Sequence, residues 1–213
     1  GEERTSSSLG DRLWDNWSLS ASGYTAVWAK ENTREAIFDA LKRREVYATS
    51  GPRILLKFFG GWNYVQEDLE DPEFFNKTAY EDGVPMGGSL TNSNSESKPR
   101  FGFKISKDPK GNNIDKFQII KGWVEEDGKV NEKVYNVIES ANGKGQESVF
   151  GIWVDQDFKI NQEAFYYARV LEVPTKRWST YDQERYDVSL APEIPTLIRE
   201  RAYSSPIWFN TMK

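Results

Sequence analysis

Residues 32–59, NTREAIFDALKRREVYATSGPRILLKFF, change hydrophobic period halfway along, and that change limits what the chain can build. From Thr33 to Arg43, the apolar residues Ala36, Ile37, Ala40 and Leu41 recur at three- and four-residue spacing, one face of an amphipathic helix. Asn32 is a suitable N-cap, and Glu35 three residues on completes a capping box. Lys42, Arg43 and Arg44 place positive charge in the last turn, where the helix dipole favours it. After Glu45 the pattern is extended through Val46, Tyr47, Ala48 and Thr49 until Ser50-Gly51-Pro52 breaks it. A second extended run over 54–59 stops at Gly60-Gly61, so the spacing predicts helix, strand, tight break, strand.

Beyond residue 54 the chain reads mainly β. Phe101, Phe103 and Ile105 alternate with Gly102, Lys104 and Ser106, a half-buried strand ending at Asp108-Pro109. Gly111-Asn112-Asn113 makes a turn, residues 114–124 the next strand, and Glu126-Asp127-Gly128 a turn into a hairpin partner over 130–138. Further strands are expected over 149–154 and 164–173, the latter closed by Pro174. A last one over 202–209 carries Pro206 and should therefore be an edge or bulged strand. Asp71-Pro72 opens a short helix that ends before Gly83, 84–88 is rich in turn residues, and 177–186 holds a helical turn. Residues 90–99, LTNSNSESKP, read as a solvated loop. Residues 1–10 are polar and Ser-rich and are expected to be unstructured, while Leu13, Trp14 and Trp17 stand at helical spacing over 9–17. Strands at this spacing, separated by Gly, Asn and Asp turns, predict a mainly β fold with an antiparallel β-sandwich.

Composition narrows function more than fold. A mean hydropathy of -0.71 leaves no stretch near the roughly 20 apolar residues of a membrane helix, so no membrane span is expected. Net charge is -5 with basic residues spread out, which gives no footprint for nucleic acid. The absence of Cys removes disulfides, thiolate metal sites and a Cys nucleophile. The absence of His removes the commonest ligand of catalytic transition metals and the usual acid-base of neutral pH. No signal peptide is visible at the start, GEERTSSSLG. The sequons Asn16-Trp17-Ser18 and Asn76-Lys77-Thr78 would matter only in a eukaryotic secreted protein.

Several long motifs, in order, carry a resemblance. AVWAKENTREAIFDALKRREVYATSGPRI (26–54), FFGGW (58–62), GVPMGG (83–88), IIKGW (119–123), EKVYNV (132–137), AFYYARVLEVPTKRWSTYD (164–182) and ERAYSSPIWF (200–209) resemble the C-terminal half of a bacterial family, domain-of-unknown-function family 3604. That family is itself similar to the PHP (polymerase and histidinol phosphatase) metal-dependent hydrolases. The resemblance implies a distorted α/β barrel upstream, whose His- and Asp-rich clusters hold the metal, and a β-rich C-terminal domain. None of those His ligands has a counterpart here, so the chain is expected to be a C-terminal fragment holding no metal of its own. Zinc, manganese or iron is implied only for the intact protein. On this expectation 1–22 is a flexible or Trp-containing arm, 23–50 the helix-and-strand tail of the PHP-like barrel, and 51–213 the β-rich domain, with the junction at Gly51-Pro52. The missing barrel is the expected partner, and apolar surface left by its removal would favour a homodimer. The bacterial resemblance leaves cytoplasm and periplasm both open.

Few polar clusters point to chemistry. Asp155 and Asp157, near Glu163, have the carboxylates of a calcium loop but not its Gly or ligand spacing, and a solvated turn accounts for them better. The pairs Glu67-Asp68, Glu70-Asp71 and Glu125-Glu126 lie in polar loops with no sign of two carboxylates converging from different environments. Gly60-Gly61 and Gly87-Gly88 suggest turns at positive φ, since neither precedes a helix carrying Lys-Ser/Thr. Thr49, Ser50 and Arg53 form the candidate substrate-binding cluster, because they close the stretch nearest the missing barrel and Arg suits phosphate or carboxylate. Arg53 would face the domain junction or the mouth of the site, or else lie over Tyr47 or Phe58. Trp62, Tyr64, Trp123, Trp153, Trp178 and Trp208 would either fill the core or form a sugar-stacking platform. Three roles follow: an accessory segment of a metal-dependent hydrolase with no catalytic residue of its own, a carbohydrate- or ligand-binding module, or a structural interaction domain.

Overall fold

Alternating inward and outward side chains dictate a layered structure, and the computed structural model of the chain, which describes residues 20–91, 97–125 and 127–211, is one. In chain order the strands are β1 (Tyr24–Val27), β2 (Val46–Thr49), β3 (Leu55–Gly61), β4 (Gly83–Pro85), β5 (Ser89–Thr91), β6 (Arg100–Ser106) and β7 (Ile114–Val124). They continue as β8 (Val130–Glu139), β9 (Ser148–Val154), β10 (Ala164–Glu172), β11 (Thr175–Lys176), β12 (Leu197–Ile198), β13 (Arg201–Ser204) and β14 (Ile207–Asn210). The α-helices are α1 (Arg34–Lys42), α2 (Thr78–Glu81) and α3 (Trp178–Tyr186). The helix expected over 9–17 and the arm before it lie outside the described residues, as does the middle of the 90–99 loop. Among the described residues no helix is long and apolar enough to cross a membrane.

Two sheets face each other. The smaller is antiparallel in the order β4-β3-β6-β9. The larger is centred on β10, with β7 and then β8 on one side and β13 and β14 in succession on the other. From there β13 leads through β2 to β1, and β14 pairs with β5, a parallel pairing in an otherwise antiparallel sheet. The inward rows meet in one aromatic core. Phe103 stacks on Phe117 at 4.2 Å between ring centroids, and Phe101 meets Tyr166 at 4.5 Å.

β1 and β2 pair antiparallel and β2 is hydrogen-bonded on its other edge to β13, so the helix-and-strand piece is woven into the sandwich sheet. A barrel βαβ unit would have made them parallel. The expected junction at Gly51-Pro52 is thus a passage from one sheet to the other. The N-cap of α1 falls one residue later than expected, on Thr33, whose Oγ1 accepts the Ala36 N–H at 3.3 Å.

The strand expected at the C-terminus is internal, not an edge. Pro206 splits it into β13 and β14, and register moves from Tyr203↔Arg169 to Ile207↔Tyr166, so three residues oppose two. The Ala168 N–H left over by this bulge donates to Ser204 Oγ at 2.9 Å.

The segment between β3 and β4 covers the outer face of the small sheet with its own cluster of Phe59, Tyr64, Phe74, Phe75 and Ala79. Its α-helical turn comes at Thr78, later than Asp71-Pro72 predicted, and a 3-10 turn over Gln66–Glu70 precedes it. A Cβ on Gly61 would stand 2.6 Å from Tyr64 Cζ. The Gly60-Gly61 pair is therefore in a strand for close approach, not for a turn. Gly87 alone of the two expected pairs takes positive φ, at 88°.

Candidate functional site at one end of the sandwich

β2 alternates, so Thr49 follows buried Tyr47 onto the inner side. The side chain is 7% exposed and its Oγ1 has no hydrogen-bond partner. β10 does the same with Tyr166, Ala168 and Val170, which brings Glu172 to the inner row at 0% exposure. Both inner rows run out at the same end, which the 50–54 and 107–113 segments border.

Glu172 Oε2 accepts the Asn112 N–H at 3.2 Å, whereas Oε1 is buried without a partner. A Cβ on Gly111 would lie 3.0 Å from that oxygen, so glycine leaves the carboxyl its room. Burial pushes the Glu172 carboxyl up to about 7; the Asn112 N–H opposes this, and Glu200 and Asp108 reinforce it by repulsion. Next to it the Glu172 N–H donates to the Glu200 carbonyl at 2.9 Å, and the Glu200 carboxylate accepts the hydroxyl of Ser50. Ser50 Oγ in turn accepts the Arg201 N–H at 2.9 Å.

The backbone N–H of Arg53 donates to Asp108 Oδ2 at 2.7 Å, and this bond, with that from the Lys110 N–H, holds the Asp108 carboxyl below its ordinary range. The Arg53 side chain is exposed and its guanidinium has no ion pair or hydrogen bond among the described residues. Thr49, Ser50 and Arg53 thus gather around this end, together with Asp108, Glu172 and Glu200. A carboxyl that exchanges its proton near neutrality, a hydroxyl and an exposed guanidinium can together bind and orient an anionic group.

The donor set does not fit a transition metal. The chain offers neither imidazole nor thiolate, and among the described residues no three Asp, Glu, His or Cys side chains are grouped to hold an ion.

Asp155 and Asp157 serve structure. Asp155, 0% exposed, pairs with Lys121 Nζ at 2.6 Å and accepts the Tyr166 hydroxyl at 2.7 Å. Its Oδ1 takes the Asp157 N–H at 2.9 Å. Asp157 is bound by Lys133 and by the Tyr135 hydroxyl, and burial followed by the bond to Asp157 keeps that phenol protonated. Three of the tryptophans are likewise committed to packing: Trp62, Trp123 and Trp153 lie against the main core, and Tyr64 is buried in the second. Trp208 lies under the Arg44 guanidinium at 4.8 Å.

Fold and site together define a two-sheet β-sandwich with an unsaturated polar end. A family model described as protein of unknown function (DUF3604) matches residues 2–144 and 139–211. The chain belongs to that family. No curated protein and no solved structure matches it.

Proposed function

We propose that this chain is the non-catalytic sandwich unit of a PHP-type metal-dependent hydrolase, and that its polar end borders the mouth of the active site. What carries the reading is the pair of buried atoms Glu172 Oε1 and Thr49 Oγ1, without a partner among the described residues, at one end beside the exposed Arg53. A buried polar group without a partner costs about 1–3 kcal/mol, so groups left in that state suit a face completed by something else. The family resemblance supplies the hydrolase; the metal and its ligands belong to the catalytic unit. Arg53 would receive the anionic part of a phosphoester or similar substrate.

Arg53 makes the cleanest test, because its exposed side chain contributes little to folding. In the polypeptide that joins this chain to the catalytic unit, Arg53→Ala should lower kcat/KM on p-nitrophenyl phosphate about tenfold, with the melting temperature unchanged. Unchanged turnover would remove the polar end from the active-site mouth. Turnover by the 213-residue chain alone would overturn the non-catalytic assignment.

A second reading, a carbohydrate-binding module, draws on the outer face of the large sheet. Phe165 and Tyr167 stand nearly parallel there, 6.4 Å apart at 16°, with Tyr203 beyond at 6.4 Å. Arg169 and Gln118 form a hydrogen-bonding row beside them. Titration with cellohexaose or xylohexaose should quench tyrosine fluorescence, and Tyr167→Ala should abolish the signal. Flat titrations would discard the module reading.

A further inference from the structure

The helix α1 turns its apolar side outward. Only Ala40 is fully buried, whereas Phe38 is 63% and Leu41 47% exposed. Arg34, Glu35, Ile37, Phe38 and Leu41 line a shallow depression of about 550 Å³. The charges around this face are arranged with a symmetry of their own. Glu35 and Lys42 are seven residues apart, two turns, and so share one flank of the exposed face. Neither side chain has a hydrogen bond or ion pair among the described residues, and both are exposed.

We propose that α1 is a self-complementary ridge through which two copies of this chain pair about a two-fold axis, helix antiparallel to helix. When helices pack antiparallel about a two-fold, each flank meets its own counterpart. Glu35 then faces Lys42 of the partner subunit, and Lys42 faces the partner's Glu35, while a parallel two-fold would set this flank against the partner's opposite flank and form neither pair. The axis falls between residues 38 and 39, so the two Phe38 rings meet at the centre with Leu41 and Ile37 beside them. The antiparallel setting also places the positive end of each helix dipole near the negative end of the other. An isologous contact of this kind closes on itself and stops at the dimer. The inference does not depend on the hydrolase reading.

Sedimentation equilibrium of the 213-residue chain over a concentration series tests it, with circular dichroism as the check on folding. Glu35→Lys and Lys42→Glu should each weaken dimerisation about tenfold, because one substitution turns two symmetry-related attractions into repulsions. The double variant Glu35→Lys/Lys42→Glu should return close to the parent, since the pairs are restored with their signs exchanged. Phe38→Ser should leave a folded monomer. A chain that stays monomeric throughout overturns the proposal. So does a dimer indifferent to the single reversals, or a double variant no tighter than the singles, either of which would assign the face to another occupant.

Discussion

Replacing Asp155 with alanine is expected to destabilise the chain by roughly 3–5 kcal/mol, the usual cost of breaking a buried ion pair. The magnitude follows from what remains. Lys121 is 2% exposed and, among the described residues, would keep the Asp157 carbonyl at 3.2 Å and the faces of Trp123 and Tyr166, but no counter-charge, for its ammonium. Tyr166, whose burial and proximity to Asp155 hold the phenol protonated, would lose its acceptor. The isolated charge, not the lost attraction, dominates the penalty. Lys121→Met combined with Asp155→Leu should therefore recover more than half of the loss, because no charge is left stranded. Urea unfolding of parent, single and double variants at pH 7 measures both statements. An Asp155→Ala cost below about 1 kcal/mol would mean that water reaches this end of the core.

Most of the secondary structure is legible in the sequence, because alternation and turn residues are local signals. The runs Ile114–Val124 and Ala164–Glu172 emerge almost to the residue. What local pattern does not carry is the choice of partner. Pro206 correctly signals a bulge, but whether a bulged strand lies inside or at the edge depends on β2 and β5, which come from over a hundred residues earlier. At 34–49 the period reports only helix and strand, not parallel or antiparallel neighbours, and the barrel expectation there comes from the family resemblance alone.

The candidate site divides along the same line. Thr49, Ser50 and Arg53 lie within five consecutive residues and so are visible as a cluster. Asp108, Glu172 and Glu200 come from three separate parts of the chain and share no motif. One signal was nevertheless there to be read. In Tyr166, Ala168, Val170, Glu172 and in Phe117, Ile119, Lys121, a charged residue continues an inward register. A charge on a core-facing position must be paired, neutralised or functional. Lys121 resolves as the first, bound to Asp155, and Glu172 as the second.

Glu172 makes stability depend on pH in the unusual direction for a carboxylate. Its ordinary value is 4.5 and in the fold it is about 7, so the folded chain holds this proton more tightly than the unfolded one. Between those values the folded state binds more protons, and linkage makes stability fall as pH rises. The contribution is harmless below about 4.5 and reaches its full penalty above about 7. At about 1.4 kcal/mol for each unit, the interval from 4.5 to about 7 sets an upper bound of roughly 3.5 kcal/mol. Ionised Glu172 would hold an unpartnered Oε1 against Glu200 and Asp108, whereas a neutral amide would not. Glu172→Gln should therefore match the parent near pH 4 and exceed it in melting temperature at pH 8, with the two curves separating between pH 5 and 7. Parallel curves across that range would show that Glu172 finds a counter-charge in the folded chain. Addition of the catalytic unit offers the decisive comparison: if it supplies a partner to Oε1, the advantage of glutamine at pH 8 should shrink or reverse in the joined polypeptide.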